Sequence, residues 1–145
     1  MKGYLLVISA LLLSSCGNPN PLAILPDGKC SQSQQLLVKE HISGQIDAIA
    51  DKNWQRAYTF AAKSFQERID LDRFTGIISQ QYVLLITNKG YTFDSCEIEN
   101  EQLVQRITVV GLNDDFRMTY RLSVEDQKLG VVAAAVTEIS EDIAT

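Results

Sequence analysis

From residue 33 to 53, apolar side chains recur at Val38, Ile42, Ile46 and Ile49, and Asn53 closes the same stripe. A period near 3.6 predicts an amphipathic helix from about Ser33 to Lys52. Ser31 or Ser33 can cap its start. Gly44 falls inside it and costs about 1 kcal/mol relative to alanine, so a close approach of helix to sheet is expected there. In "NWQRAYTFAAKSFQERI", residues 53–69, Trp54, Ala57, Tyr58, Ala61 and Phe65 share one face. This predicts a second continuous helix with Asn53 as its N-cap. "DLDRFTGIISQQY" predicts a third, short helix. Asp70 or Asp72 can cap it, and Phe74, Ile77, Ile78 and Tyr82 form its apolar side.

The period then changes to two. "VLLIT" fits a helix end or a strand, and "NKG", residues 88–90, reads as a turn. Strands are expected at about 91–98, 102–111, 115–125 and 129–139. The third is the clearest: Phe116, Met118, Tyr120, Leu122 and Val124 alternate with Arg117, Thr119, Arg121, Ser123 and Glu125. Such alternation marks a strand with one buried and one wet face. The short connections Asn113-Asp114-Asp115 and Asp126-Gln127-Lys128 imply antiparallel neighbours. The fourth strand, "LGVVAAAVTEI", carries small residues on both faces, which would admit close approach by a helix or another subunit. Helices first and a meander afterwards define an α+β domain, with a curved antiparallel sheet of about four strands wrapped, cone-like, over the long helix.

The N-terminus follows a different pattern. Lys2 precedes "GYLLVISALLL", an apolar run of 11 residues. That is too short to span a bilayer, which takes about 20 residues, and its layout is that of a signal peptide. Leu13-Ser14-Ser15-Cys16 resembles the bacterial lipobox. The resemblance implies diacylglyceryl transfer to the Cys16 sulfur, cleavage before Cys16 and anchoring to a membrane through lipid. Residues 1–15 are then a lipoprotein signal peptide, 16–30 a lipidated tether, 31–140 the α+β domain and 141–145 a tail. Pro19, Pro21 and Pro26 favour extended chain in the tether, while "LAIL", residues 22–25, is apolar enough to pack on the domain. The expected address is the cell envelope, at the outer membrane or the outer face of the cytoplasmic membrane. Gly17 lacks the acidic character that retains lipoproteins at the inner membrane in enteric-type bacteria, which permits an outer-membrane address.

Charge narrows the partners. The chain has 13 basic and 18 acidic residues, which argues against sequence-independent nucleic-acid binding. Removing residues 1–15 takes away Lys2 and no acid, leaving 12 basic against 18 acidic residues and a net charge of −6. Such a body is weakly repelled by anionic lipid. Cys30 and Cys96 are either a disulfide, in keeping with an exported chain, or two separate thiols.

The helical segment resembles the domain-of-unknown-function family numbered 4864. The residues that carry the resemblance are Gln45-Ile46-Asp47-Ala48, then Asp51-Lys52-Asn53, then Ala57-Tyr58-Thr59-Phe60-Ala61, then Phe74 and Tyr82. It covers roughly residues 36–83. The family looks like part of the wider nuclear transport factor 2-like superfamily. That implies a cone-shaped domain that holds a small ligand, catalyses a proton transfer or dehydration, or mediates interactions; it transfers no reaction.

In such a cone the candidate cavity-lining residues are Trp54, Tyr58, Tyr82, Asp94 and Tyr120. A buried carboxyl among them could serve as a general base, although Asp94 alternates with Phe93. No residue is assigned a catalytic role. His41 is the only histidine and lies off the main stripe, as a boundary residue would. No metal site is expected: the single histidine and isolated cysteines do not form a zinc set, and Asp114-Asp115 and Asp70-x-Asp72 are explained by turns and caps. No cofactor fingerprint is present. Two classes of function stay open. One is a non-enzymatic lipoprotein binding a small hydrophobic ligand or an envelope protein. The other is an isomerase or dehydratase using a buried carboxylate or tyrosine. A sheet-to-sheet homodimer is compatible with either.

Overall fold

A computed structural model of the chain describes residue 17 and residues 19–138. The signal-peptide segment 1–15, the lipidation candidate Cys16, the end of the fourth predicted strand and the tail 141–145 lie outside the described residues. Helices α1 (Gln32–Ala50), α2 (Trp54–Thr59), α3 (Lys63–Gln66), α4 (Leu71–Gln81) and α5 (Val83–Ile86) pack on one face of a sheet. The sheet strands are β1 (Gly28–Lys29), β2 (Tyr91–Glu99), β3 (Gln102–Val110), β4 (Asp115–Glu125) and β5 (Lys128–Glu138). It is an open, curved antiparallel meander in the order β1-β2-β3-β4-β5, an α+β architecture.

Local chemistry accounts for most element ends. Ser31 and Gln34 form a capping box at α1: the Ser31 hydroxyl accepts from the Gln34 amide N–H, and the Gln34 side chain accepts from the Ser31 N–H. Asn53 and Asp70 cap α2 and α4. Asn100–Glu101 and Asp126–Gln127 hold positive φ in the β2–β3 and β4–β5 turns, which suits tight hairpins that follow the sheet's right-handed twist. Val38, Ile42, Ile46 and Ile49 are buried against Leu103, Ile107, Met118, Tyr120 and Leu122 of the sheet.

Four features differ from the pattern-based expectation. The sheet has a fifth strand, β1, in the segment expected as tether. Two residues are too few for a periodicity to register; pairing with Glu97 and Ile98 creates the strand. The tether is docked further upstream as well. Gln34 Nε2 donates to the Pro21 carbonyl, Leu22 and Leu25 pack on the core, and Asp27 accepts from the Asn100 N–H. The segment expected as tether thus packs on the domain from Pro21 onward, although within "LAIL" Ile24 stays exposed.

The predicted second helix is broken. Residues 60–62 leave helical geometry because β5 captures their backbone: Val131 N–H donates to the Phe60 carbonyl, and Ala62 N–H donates to the Val131 carbonyl, each at 2.9 Å. α3 then restarts with Ala62 at its N-cap and no side-chain cap of its own. Glu125, from the end of β4, accepts from both the amide and the hydroxyl of Ser64 instead, and these bonds hold its carboxyl below the usual carboxylate range.

The tight spot at Gly44 is not a helix–sheet contact. A Cβ there would meet the Phe60 ring at 2.5 Å. The close approach to the sheet occurs at Gly130, where a Cβ would lie 2.4 Å from the Ala62 Cα. "VLLI" resolves as a short helix, α5.

His41 ties this junction together. Its Nε2 donates to the Phe60 carbonyl at 2.8 Å, and its ring meets Phe60 edge-on at 5.1 Å. Burial lowers its pKa from the ordinary 6.5, and the hydrogen bond only partly offsets this. A lowered folded-state pKa means that, just below pH 6.5, the unfolded chain binds a proton that the folded chain refuses. Stability is therefore expected to fall as pH drops from about 6.5 toward the folded-state value. Urea unfolding between pH 7.5 and 5 checks this. His41→Gln should flatten that part of the profile and leave the loss below about pH 4.5, where Glu125 contributes. An unchanged slope in the variant would exclude His41 as the cause.

Candidate functional site

A cavity of about 270 Å³ lies between the helices and the β4–β5 end of the sheet. α1 supplies Gln45 and Ile49, α4 supplies Phe74 and Ile78, and α5 supplies Leu85. Ala61 and Phe65 of the broken α2–α3 segment close one side, and Tyr120, Val131 and Ala134 form the floor. Its size is near the lower end of the roughly 300–1,000 Å³ typical of small-molecule sites, and above the ~150 Å³ that suffices for benzene.

Small residues keep this volume open. Ala134 sits opposite Tyr120 in the β4–β5 register, and Ala61 faces the same space. A larger side chain at either position would fill it. The β5 alanines thus border both a ligand-sized space and, through Gly130, the captured backbone of residues 60–62.

The lining is apolar apart from three groups; Tyr82 has its only donor committed, and Gln45 one of its two. Tyr82 donates its hydroxyl to the Ala134 carbonyl at 2.7 Å. Gln45 donates its Nε2 to the Ala57 carbonyl at 3.3 Å. Tyr120 is only 1% exposed, yet its hydroxyl forms no hydrogen bond among the described residues. Burial, reinforced by the neighbouring Tyr82 and Tyr91 phenols, drives its pKa far above the ordinary phenol value. At neutral pH it is a protonated donor and not a base.

The five candidate residues divide accordingly. Tyr82 and Tyr120 line the cavity. Tyr58 lies behind its wall, donating to the Ile69 carbonyl at 2.7 Å and packing against Phe74, the two rings tilted with centroids 5.5 Å apart. Trp54 packs at the core margin and does not reach the lining. Asp94 is on the opposite face of the sheet, exposed, accepting from the Thr108 hydroxyl at 2.8 Å. Asp94 keeps the alternation set by Phe93, whose ring packs against the core; the register then slips between Phe93 and Ser95, so parity reverses only past Asp94. Gln105 Nε2 satisfies the Ser95 carbonyl freed there; the Gln105 Oε1 is buried without a hydrogen-bond partner among the described residues.

Gln45 was not a candidate. Its only sequence signal is a polar side chain on the buried flank of the α1 stripe, between Ile42 and Ile49. Ala61, Phe65 and Val131 had no local signal, because the α2–α3 break brings them together.

Cys30 and Cys96, 66 positions apart in the chain, are joined by a disulfide with Cα atoms 5.4 Å apart. The bond links the segment between β1 and α1 to β2. Among the described residues, no group of three or more His, Cys, Asp or Glu could hold a metal ion. None of their helices is long and apolar enough to cross a membrane.

Fold and cavity together define a small α+β domain with an apolar, partly open site walled by helices and floored by its last two strands. The chain belongs to the family described as domain of unknown function (DUF4864), whose family model matches residues 31–141. No curated protein and no solved structure matches it.

Proposed function

We propose that this chain is an exported, lipid-anchored protein of the cell envelope whose domain binds a small, mostly apolar molecule in the cavity between the helices and the sheet. The cavity itself carries the binding reading: small residues leave space beside Tyr120 that ordinary core residues would occupy. The resemblance to cone-shaped nuclear transport factor 2-like domains supports the same use of the space. The anchoring reading rests on Leu13-Ser14-Ser15-Cys16 after an apolar run. A disulfide fits an oxidising compartment outside the cytoplasm. The isomerase or dehydratase alternative needs a base beside the ligand. Asp94 lies on the other face, and the cavity lining contains no carboxylate or imidazole.

Benzene tests the site. A ligand that binds only the folded state raises the unfolding midpoint by mass action. Saturating benzene is expected to raise the midpoint of the wild-type domain. Ala134→Leu, which fills the space, should abolish the shift while raising the ligand-free midpoint. No shift in the wild type would overturn the binding reading. For the anchor, mass spectrometry of the native N-terminal peptide should show acyl mass on Cys16, and Cys16→Ala should release the protein from membranes. A membrane-bound Cys16→Ala protein would contradict lipid anchoring.

A further inference from the structure

The Tyr120 hydroxyl is the most informative polar atom in the cavity. Tyr120 lines the cavity and its hydroxyl forms no hydrogen bond among the described residues, so that donor is free for a molecule in the space. Tyr120 lies on β4, between Gln105 of β3 and Ala134 of β5, so its ring stands on the inner face among the helices. Of the other two polar groups of the lining, Tyr82 directs its only donor to the Ala134 carbonyl and Gln45 commits one of its two N–H donors to the Ala57 carbonyl.

The lining also limits the ligand's charge. It contains no Lys, Arg or His that could pair with a buried anion, and no Asp or Glu that could pair with a cation. An ion entering this space would lose part of its hydration against an apolar lining and gain no counter-charge in return.

We infer that the cavity selects an uncharged, largely apolar molecule bearing one hydrogen-bond acceptor, such as a ketone, ester, amide or ether oxygen, which accepts a hydrogen bond from the Tyr120 hydroxyl. This deepens the ligand-binding reading and rests on it. Because burial keeps the phenol protonated across the neutral range, the preference for an acceptor does not change between pH 6 and 9.

Three probes of similar shape test the inference by isothermal titration calorimetry: acetophenone, cumene and benzoate. Acetophenone offers a neutral carbonyl, cumene replaces the oxygen with a methyl group, and benzoate adds a charge. The wild-type domain is expected to bind acetophenone about tenfold more tightly than cumene, the yield of one well-made hydrogen bond in a dry site. Benzoate binding should be undetectable. Tyr120→Phe should reduce acetophenone to the affinity of cumene while cumene binding persists, which also shows that the variant is folded. An acetophenone-to-cumene ratio unchanged by Tyr120→Phe would overturn the donor assignment and leave the cavity reading standing. Benzoate binding as tight as acetophenone would overturn the charge selection. Failure of both neutral probes to bind would overturn the cavity reading and this inference together.

Discussion

Replacing Cys30 and Cys96 together by alanine is expected to destabilise the domain by about 4 kcal/mol on the chain-entropy account, because their bond closes a long loop in the unfolded chain. For a domain of this size that corresponds to a fall in unfolding temperature on the order of 15 °C. The effect should not be uniform. β1 pairs with β2 at only two positions, and the Cys30 N–H donates to the Cys96 carbonyl beside the bond. Without the sulfur link this edge should open first and release the docked segment from Pro21 to Lys29. Thermal unfolding checks the magnitude, and amide hydrogen exchange at residues 28–30 checks the location. A double variant that unfolds within two degrees of the wild type would show that the edge is held by its packing alone.

Gly130→Ala should cost about 3 kcal/mol, more than an ordinary strand substitution. The added methyl group would meet the backbone of Ala62, which cannot rotate away as a side chain can. Relief requires β5 to separate from residues 60–62, with loss of the two flanking backbone hydrogen bonds. Ala61 and Val131 line the cavity on either side of that contact, so benzene stabilisation should weaken in the same variant. Gly76→Ala is the matched control. Its Cβ meets nothing within 4 Å on α4, so the variant should gain up to about 1 kcal/mol from helix propensity. Equal effects at the two glycines in chemical denaturation would refute the account of Gly130.

Much of the fold was legible because its determinants are local. The α1 stripe, the Ser31, Asn53 and Asp70 caps, the alternation of β4 and the tight hairpin turns each depend on residues a few positions apart. The candidate site was less so. Tyr120 was visible as an inward position of a strand whose neighbours are apolar, and Tyr82 as the end of an apolar helix face. Tyr58 followed the same helical rule and finished behind the wall. Asp94 faces outward as its alternation with Phe93 implies, and the limit of alternation lies just past it, where one extra residue in β2 reverses every later side chain of that strand.

By itself, then, the sequence determined the element types, the antiparallel order of the last four strands, the buried stripe of α1 and a net acidic surface. All of these follow from short-range periodicity, capping and charge. Tertiary structure alone decided that residues 60–62 would leave their helix, that β1 would exist, and that β2 would change parity past Asp94. It also decided that Gln45, Ala61, Tyr82, Tyr120 and Val131 would surround one space. The physical reason is that backbone groups are satisfied wherever partners are available. Residues 60–62 have helix-compatible side chains, but the open edge of β5 offers their N–H and C=O groups a better set of bonds. That partner lies some seventy positions away in the chain, beyond the reach of any local pattern, and the cavity exists because of it.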